Sequence, residues 1–473
     1  MEAMVGPEVF AAATWGSVDL GDARLNRRAV VTGARLAARP DARFPQTMRS
    51  DAEYQGLLGL LENRRVTFDK LSEPHWKGTR VAAGSHETVL FVADTTELDF
   101  TKFAKTMTGL GPIGDGRGRG AEVHTVLAMT PEPREVLGVA HQQIVLRVPV
   151  PAGVSRRSIP KAQRESRLWS VGVREIGPAP TGKRWVYVAD RGADATDVLT
   201  TCEQAGMGFL IRVMENRALV GAPAGTPNHL LDAVRAWVPA TTAETRLAVP
   251  VDAEPATTKK PAVAARTAKV DVSYGSVRIR TSRAKADPGL RIWVVRAWEV
   301  EPPQDATPLE WVLMTTVPVE NLDDAIERIE WYKLRWTIED YHQCVKTGCA
   351  IEGRDLGSED RVERLLGFVG PIAARLLQLR DRARATPDAP ATVVASETEV
   401  RVVAHETGQR AEAMTVRAFY RGVARLGGFR GRKGDGEPGW RTLWRGWKEL
   451  QGIMRGVTLA KQLLTTTIPC PAK

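Results

Sequence analysis

A chain of 473 residues is too long for one ordinary domain and allows two to four. Its hydrophobic share of 43% is that of a globular protein, and no apolar run reaches the length of a membrane span. The net charge of +10 favours a polyanionic partner and is concentrated late: residues 401–473 hold 14 Lys or Arg against 5 Asp or Glu.

The first 70 residues carry 10 basic against 9 acidic side chains, so they are no basic arm. The opening MEAMVGPEVF has no basic segment leading into an apolar one, and no secretory signal is expected. Cys202, Cys344, Cys349 and Cys470 suit neither a zinc site nor a disulfide framework. A reducing cytoplasm is the natural setting.

Residues 8–75 read as short helices. Arg24, Arg27, Arg28 and Arg35 recur at helical spacing beside Leu20, Leu25 and Leu36. This is either a DNA-binding headpiece or a helical cap with a solvated arginine face. A second helix is expected over 51–62. At residue 88 the texture changes. TVLFVAD (88–94) is an apolar run ended by a carboxylate, which suits a central strand buried on both faces. Residues 95–100 read as a second strand after a tight turn. The glycine-rich segment 109–120 lacks the Lys-Ser/Thr ending of a P-loop and reads as a flexible connection. Strands are expected over 123–129 and 136–146, and a helix over 164–176.

RWVYVAD (184–190) repeats the first pattern. A helix over 194–205 and a strand over 209–213 follow. Strand, strand, strand, helix, strand, helix, strand is the order of a ribonuclease H-like core. Residues 217–318 read as a mainly β insertion with strands at 247–251, 270–280 and 290–297, and a solvated stretch at 254–267. A return strand at 309–316 leads into a helix that begins near residue 322. Residues 362–379 read as an amphipathic helix kinked at Pro371. ATPDAPAT (385–392) reads as a linker. Helical stretches containing 411–426 and 440–464 flank a basic glycine-rich loop.

The stretch 331–346, WYKLRWTIEDYHQCVK, organises the rest. On one helix of about 100° per residue, Tyr332, Arg335, Glu339 and Lys346 lie within about 60° of each other. Arg335 and Glu339 are an i,i+4 pair, which also decorates ordinary solvated helices. The Y-x2-R-x3-E-x6-K pattern, with V-A-D-T-T at Asp94 and V-A-D-R at Asp190, resembles the bacterial DDE cut-and-paste transposases of the transposon-five type. R-L-L-Q-L-R at 375–380, A-R-L-G-G-F at 424–429 and the Trp440, Trp444, Trp447 run extend the resemblance over nearly the whole chain.

The resemblance implies a multidomain α/β protein. Residues 1–75 would be a helical DNA-binding domain. Residues 76–384 would be a ribonuclease H-like core with its β insertion at about 217–318. Residues 385–473 would be a helical dimerisation domain. It implies metal-dependent end nicking, hairpin formation and resolution, and strand transfer into target DNA. Asp94, Asp190 and Glu339 would hold two Mg2+ ions, with Mn2+ able to substitute. Hard carboxylate oxygens suit such ions, and two-metal phosphoryl transfer needs them. Tyr332, Arg335 and Lys346 would hold DNA phosphates, Arg212 would contact DNA, and Trp311 would stack on a flipped base. The three tryptophans of the late run read as core or dimer contact. The partners implied are transposon-end and target DNA and a second copy of the chain, with no membrane, at a bacterial nucleoid.

Glu97, Asp99, Asp194 and Asp340 lie close enough in sequence to compete as ligands. The segment after Asp51, AEYQGLLGLL, departs from the aromatic-rich pattern associated with the family's first domain. Two other readings stay open: a catalytically silent DNA-binding derivative, and a stand-alone nuclease of the same fold.

Overall fold

The computed structural model describes residues 6–147, 167–253, 261–282, 288–432 and 435–465. Five helices come first: α1 (Pro7–Trp15), α2 (Ala23–Ala38), α3 (Phe44–Thr47), α4 (Asp51–Glu62) and α5 (Phe68–Gly84). Asp22, Ser50 and Thr67 accept backbone N–H groups at the starts of α2, α4 and α5, which sets where those helices begin.

The core then runs β1 (Thr88–Asp99), β2 (Gly111–Ile113), β3 (Gly118–Thr130), β4 (Glu135–Val145), α6 (Arg167–Ile176), β5 (Arg184–Ala189), α7 (Thr196–Gln204) and β6 (Gly208–Arg212). Next come α8 (Leu230–Arg235), β7 (Leu247–Val251), β8 (Arg266–Ile279), β9 (Leu290–Glu299) and β10 (Glu310–Thr315). The chain closes with α9 (Leu322–Lys333), α10 (Thr337–Gln343), α11 (Glu359–Ala385), α12 (Glu397–Thr407), α13 (Val416–Leu426) and α14 (Trp440–Thr465). Residues 164–166 of the expected sixth helix, Cys470, and 254–260 of the expected solvated stretch lie outside the described residues.

β4, β3 and β1 pair antiparallel, while β5 and β6 continue from β1 in parallel. That is the ribonuclease H-like arrangement. Val89 to Ala93 are fully buried, as a strand covered on both faces requires.

Several expectations are corrected. Residues 88–99 form one strand, with no turn at Asp94. Asp94 pairs with Thr125 and Thr95 with His124 in an unbroken ladder, which β-branched Thr95 and Thr96 favour. The glycine-rich segment is a hairpin: β2 pairs with the start of β3. Gly114 and Gly116 take φ of 59° and 95° at its turn, where other residues are strained. The strands of the expected β insertion, β7 to β9, and the return strand β10 extend the same ten-stranded sheet beyond β6.

The stretch 331–346 is not one regular helix. It passes from α9 through a 3-10 turn (Leu334–Trp336) into α10 and then a π turn (Cys344–Gly348). α11 runs through Pro371 without a break, and residues 364–377 are buried without interruption, so it is not amphipathic there. α12 was not anticipated from the sequence; a Ser396–Glu399 capping box starts it.

α11 is the spine. Arg364 donates to the Leu61 and Val66 carbonyls of the N-terminal helices, and Trp15 packs on Phe368 with ring centroids 5.2 Å apart. At its other end the Arg375 guanidinium lies 5.3 Å from the Trp447 ring. Trp444 and Trp447 are buried in the chain's own core, and Trp440 donates Nε1 to Gln343 Oε1 at 3.1 Å. The late tryptophans therefore fasten α14 to this protomer. α13 and α14 cross closely: a Cβ at Gly446 would overlap the Val423 carbonyl. Gly446→Ala should force these helices apart and cost about 1–3 kcal/mol in chemical denaturation. An unchanged denaturation midpoint would show that the crossing has room.

Candidate active site

Side chains alternate along a strand. On β1, Leu90 and Val92 join the core under α9 to α11, while Phe91 and Ala93 join the core under α6 and α7. Asp94 has the parity of Val92. On β5, Val186 and Val188 share that face, and so does Asp190, the residue after the strand. The parallel register pairs Val92 with Val188, so two residues further on Asp94 stands beside Asp190. The same alternation brings Arg212, at the end of β6, and Trp311, on β10, to this face.

Glu339 arrives from above, on α10, and Arg335 from the 3-10 turn before it. Arg335 donates Nη1 to Asp94 Oδ2 and Nη2 to Glu339 Oε1, both at 2.9 Å. One guanidinium thus bridges a sheet carboxylate and a helix carboxylate. Asp190 Oδ1 accepts the Gly192 N–H at 2.8 Å, which fixes its carboxylate against the following turn.

Burial pushes the Asp94 carboxyl up to about 6, and the charges of Asp190 and Glu339 push the same way. The Arg335 guanidinium and the Thr95 N–H oppose this without cancelling it. Burial also lowers the Arg335 pKa, but Tyr332, Asp94, Glu339 and Asp190 together raise it on balance. Three acids therefore act on one point.

The other sequence candidates divide. Tyr332 is buried; desolvation raises its pKa, against the guanidiniums of Arg335 and Arg212. Arg212 donates Nη2 to the Glu310 carbonyl at 2.8 Å, and burial lowers its pKa. Lys346 lies in the π turn, where its charge acts on Asp99 and His342. Trp311 is 3% exposed, with its ring 5.4 Å from Tyr332 and 5.7 Å from Trp336.

Trp336 is the exposed aromatic here, at 38%, and was not singled out from the sequence. Helical spacing puts it about 40° from Tyr332, so the signal was present. The competing acids have other partners. Asp194 pairs with Arg217 and accepts the Met214 and Glu215 N–H groups. Glu97 pairs with Arg147, Asp340 with Arg380, and Asp99 caps the turn at Thr101.

Three family models match the chain. Residues 7–66 match the transposase DNA-binding model, 173–377 the transposase DDE domain, and 371–467 the transposase Tn5 dimerisation domain. The chain belongs to the Tn5-type DDE transposases.

It is accordingly a DNA transposase that binds DNA, forms a homodimer and depends on a divalent metal ion. Among the described residues, no helix of this transposase is long and apolar enough to cross a membrane. Asp190 and Glu339 fall within the matched DDE span, and Asp94 lies before it.

The donor set fits a hard divalent cation, since every side chain offered is a carboxylate. The raised Asp94 pKa fits too: burial raises it most, and Arg335 only partly offsets burial and the facing carboxylates. The set is not drawn tight, however. Among the described residues, the three acids found within 4.8 Å of one another are Glu359, Asp360 and Glu363, at the start of α11. In the transposase triad, Glu339 is instead turned onto Arg335.

A raised folded-state pKa makes the native state hold the Asp94 proton more tightly than the unfolded chain does. That contribution is complete below the ordinary carboxyl range and is lost as pH rises through about 6. In EDTA, Asp94→Asn should stabilise the protein at pH ~7.5 by up to about 3 kcal/mol and much less at pH ~4. Equal shifts at both pH values in denaturant titrations would contradict this.

Proposed function

We propose that Asp94, Asp190 and Glu339 hold two Mg2+ ions, replaceable by Mn2+, for cut-and-paste transposition: end nicking, hairpin formation and resolution, and strand transfer. The observation that carries this reading is the shared register of Asp94 and Asp190, with Arg335 linking Asp94 to Glu339. Bound there, the ions would supply Lewis acidity to the attacking and leaving oxygens of a phosphodiester.

The chain's own groups account for the rest. Arg335 Nε makes no hydrogen bond, and a bound phosphate would satisfy it. With the carboxylates engaged by a metal ion, the Arg335 fork would be available to the same phosphate. Tyr332 and Arg212 stand beside it and would orient that phosphate; Lys346 would reach the strand further along. For hairpin formation one base must leave the stack. Trp311 is covered by Trp336, so an extruded base would meet the exposed Trp336 ring first and reach Trp311 when Trp336 moves aside.

We divide the labour as follows: residues 1–75 grip the DNA end, 76–384 carry the chemistry with the β strands of 217–318, and 385–473 pair the protomers. The exposed Arg24, Arg27 and Arg28 suit the first role, whereas Arg35 is engaged by Glu53 at 2.9 Å. Leu459, Leu463 and Leu464, exposed at the end of α14, suit the last. DNA as substrate implies work in the cytoplasm at the bacterial nucleoid.

Replacing Asp94, Asp190 or Glu339 by Ala should lower Mg2+-dependent cleavage of the element's end DNA by at least about 10³-fold. Binding of that DNA, read by mobility shift, should persist. Substantial cleavage by Glu339→Ala would sink the assignment. Trp336→Ala should leave melting nearly unchanged and slow hairpin formation about 10-fold relative to the first nick. Trp311→Ala should cost about 3–5 kcal/mol of stability as a core truncation. Single-turnover nick and hairpin rates beside melting curves separate the two tryptophans.

A further inference from the structure

α10 is seven residues long, set between a 3-10 turn and a π turn. The backbone stays right-handed helical through all three, but its winding changes on both sides of α10, so regular helix geometry does not set the direction of the side chains there. Glu339 sits in its first turn with a side chain 54% exposed, so packing does not aim it either.

The helix is instead held from behind by two arginines of other elements. Arg134, in the turn between β3 and β4, donates Nη2 to Thr337 Oγ1 at 2.9 Å. Arg380, on α11, donates Nη1 to Asp340 Oδ2. Glu339 lies between the two attachment points. Fully buried Asp381 joins the arginines: Arg380 Nε donates to its Oδ1 at 3.1 Å, and Arg134 Nε lies 3.8 Å from its Oδ2. A third link comes from Gln142 on β4, which donates Nε2 to the Tyr341 hydroxyl at 3.2 Å and to Thr125 Oγ1 at 2.8 Å. Thr125 is the residue paired with Asp94.

This arrangement is costly as a mere fastening. Arg134 Nε, Arg380 Nη2 and Asp381 Oδ2 are buried without hydrogen bonds. Apolar side chains of similar volume often hold two helices together at least as well as a buried ion pair. What charged forks add is direction, because an arginine fork fixes the angle as well as the distance of its carboxylate.

We propose that Arg380 and Arg134, acting through Asp340 and Thr337, are positioning residues that aim the Glu339 carboxylate at Asp94 and Asp190. The proposal rests on Glu339 being a metal ligand. The arginines touch no reacting atom; they restrict the helix that carries the ligand, as outer partners of metal ligands do.

The test uses the full chain and Mn2+ alone, with the free-ion signal followed by electron paramagnetic resonance and melting measured in EDTA. Glu339→Gln is the control and should weaken Mn2+ binding. Asp340→Asn and Arg380→Gln should each raise the Mn2+ dissociation constant about 10-fold. The double variant should be no worse than either single one, because the two act as a unit. Arg380→Lys, which keeps the charge but loses the fork, should fall between the parent and Arg380→Gln. If Asp340→Asn does not fold, Thr337→Val, nearly the same shape, carries the test with an expected ~3-fold loss. Parental Mn2+ affinity in the folded variants, with Glu339→Gln weakened, would overturn the positioning role. Parental affinity in Glu339→Gln would instead overturn the ligand reading beneath it.

Discussion

Like charges gathered at one point are the constraint around which this fold is arranged. Asp94 and Asp190 are set side by side by the parallel register of β1 and β5, and within the sheet the Thr95 N–H relieves Asp94 only slightly. Arg335 relieves it more, by bonding Asp94 with one nitrogen and Glu339 with the other. For that, the 3-10 turn and α10 must lie over the end of β5. α11 must lie behind them, which explains why it is buried from 364 to 377 and why both flanking helical regions dock on it.

Much of this was legible in the sequence, for physical reasons that differ by element. The strands carrying the acids were plain because a doubly covered strand must be apolar along its whole length, and a carboxylate ends that run visibly. Gly446 and Gly120 carried no such signal; their need appears only when a second backbone crosses them. The helix signature was read with one uniform winding, and the chain does not keep it. The 3-10 and π turns change the angle per residue, so Lys346 ends up near Asp99 although regular geometry aligns it with Glu339. No local propensity marks where a helix will change winding.

Burial was less legible at the other end of the molecule. A Pro- and Ala-rich segment reads as a linker by composition, and backbone hydrogen bonds tie its Ala389 and Ala391 to Val416 and Met414. One hydrophobic cluster holds Trp15 of the first helix, Leu365 of the spine and Trp447 of the last. For Trp440, Trp444 and Trp447 the choice between core and dimer contact stayed open, because sequence shows that a face is apolar, not what covers it. The buried pairs were illegible for a related reason. Arg380 and Asp340 are forty positions apart, and each resembles an ordinary surface charge until the fold removes water from Arg380.

The charge at the site also bears on when DNA can approach it. Asp94, Asp190 and Glu339, when ionised, outweigh Arg335 and Arg212, so these five side chains repel a phosphodiester at neutral pH. With a divalent ion held among the acids the sign of that sum would reverse, and the field would favour the backbone. Arg335 would then no longer be needed by Glu339, and its fork could grip a phosphate. An arginine, unlike a lysine, suits both duties, because its planar donors match a carboxylate pair and a phosphate with one geometry. The position suits a guanidinium, and a bound metal ion would decide which anion it holds.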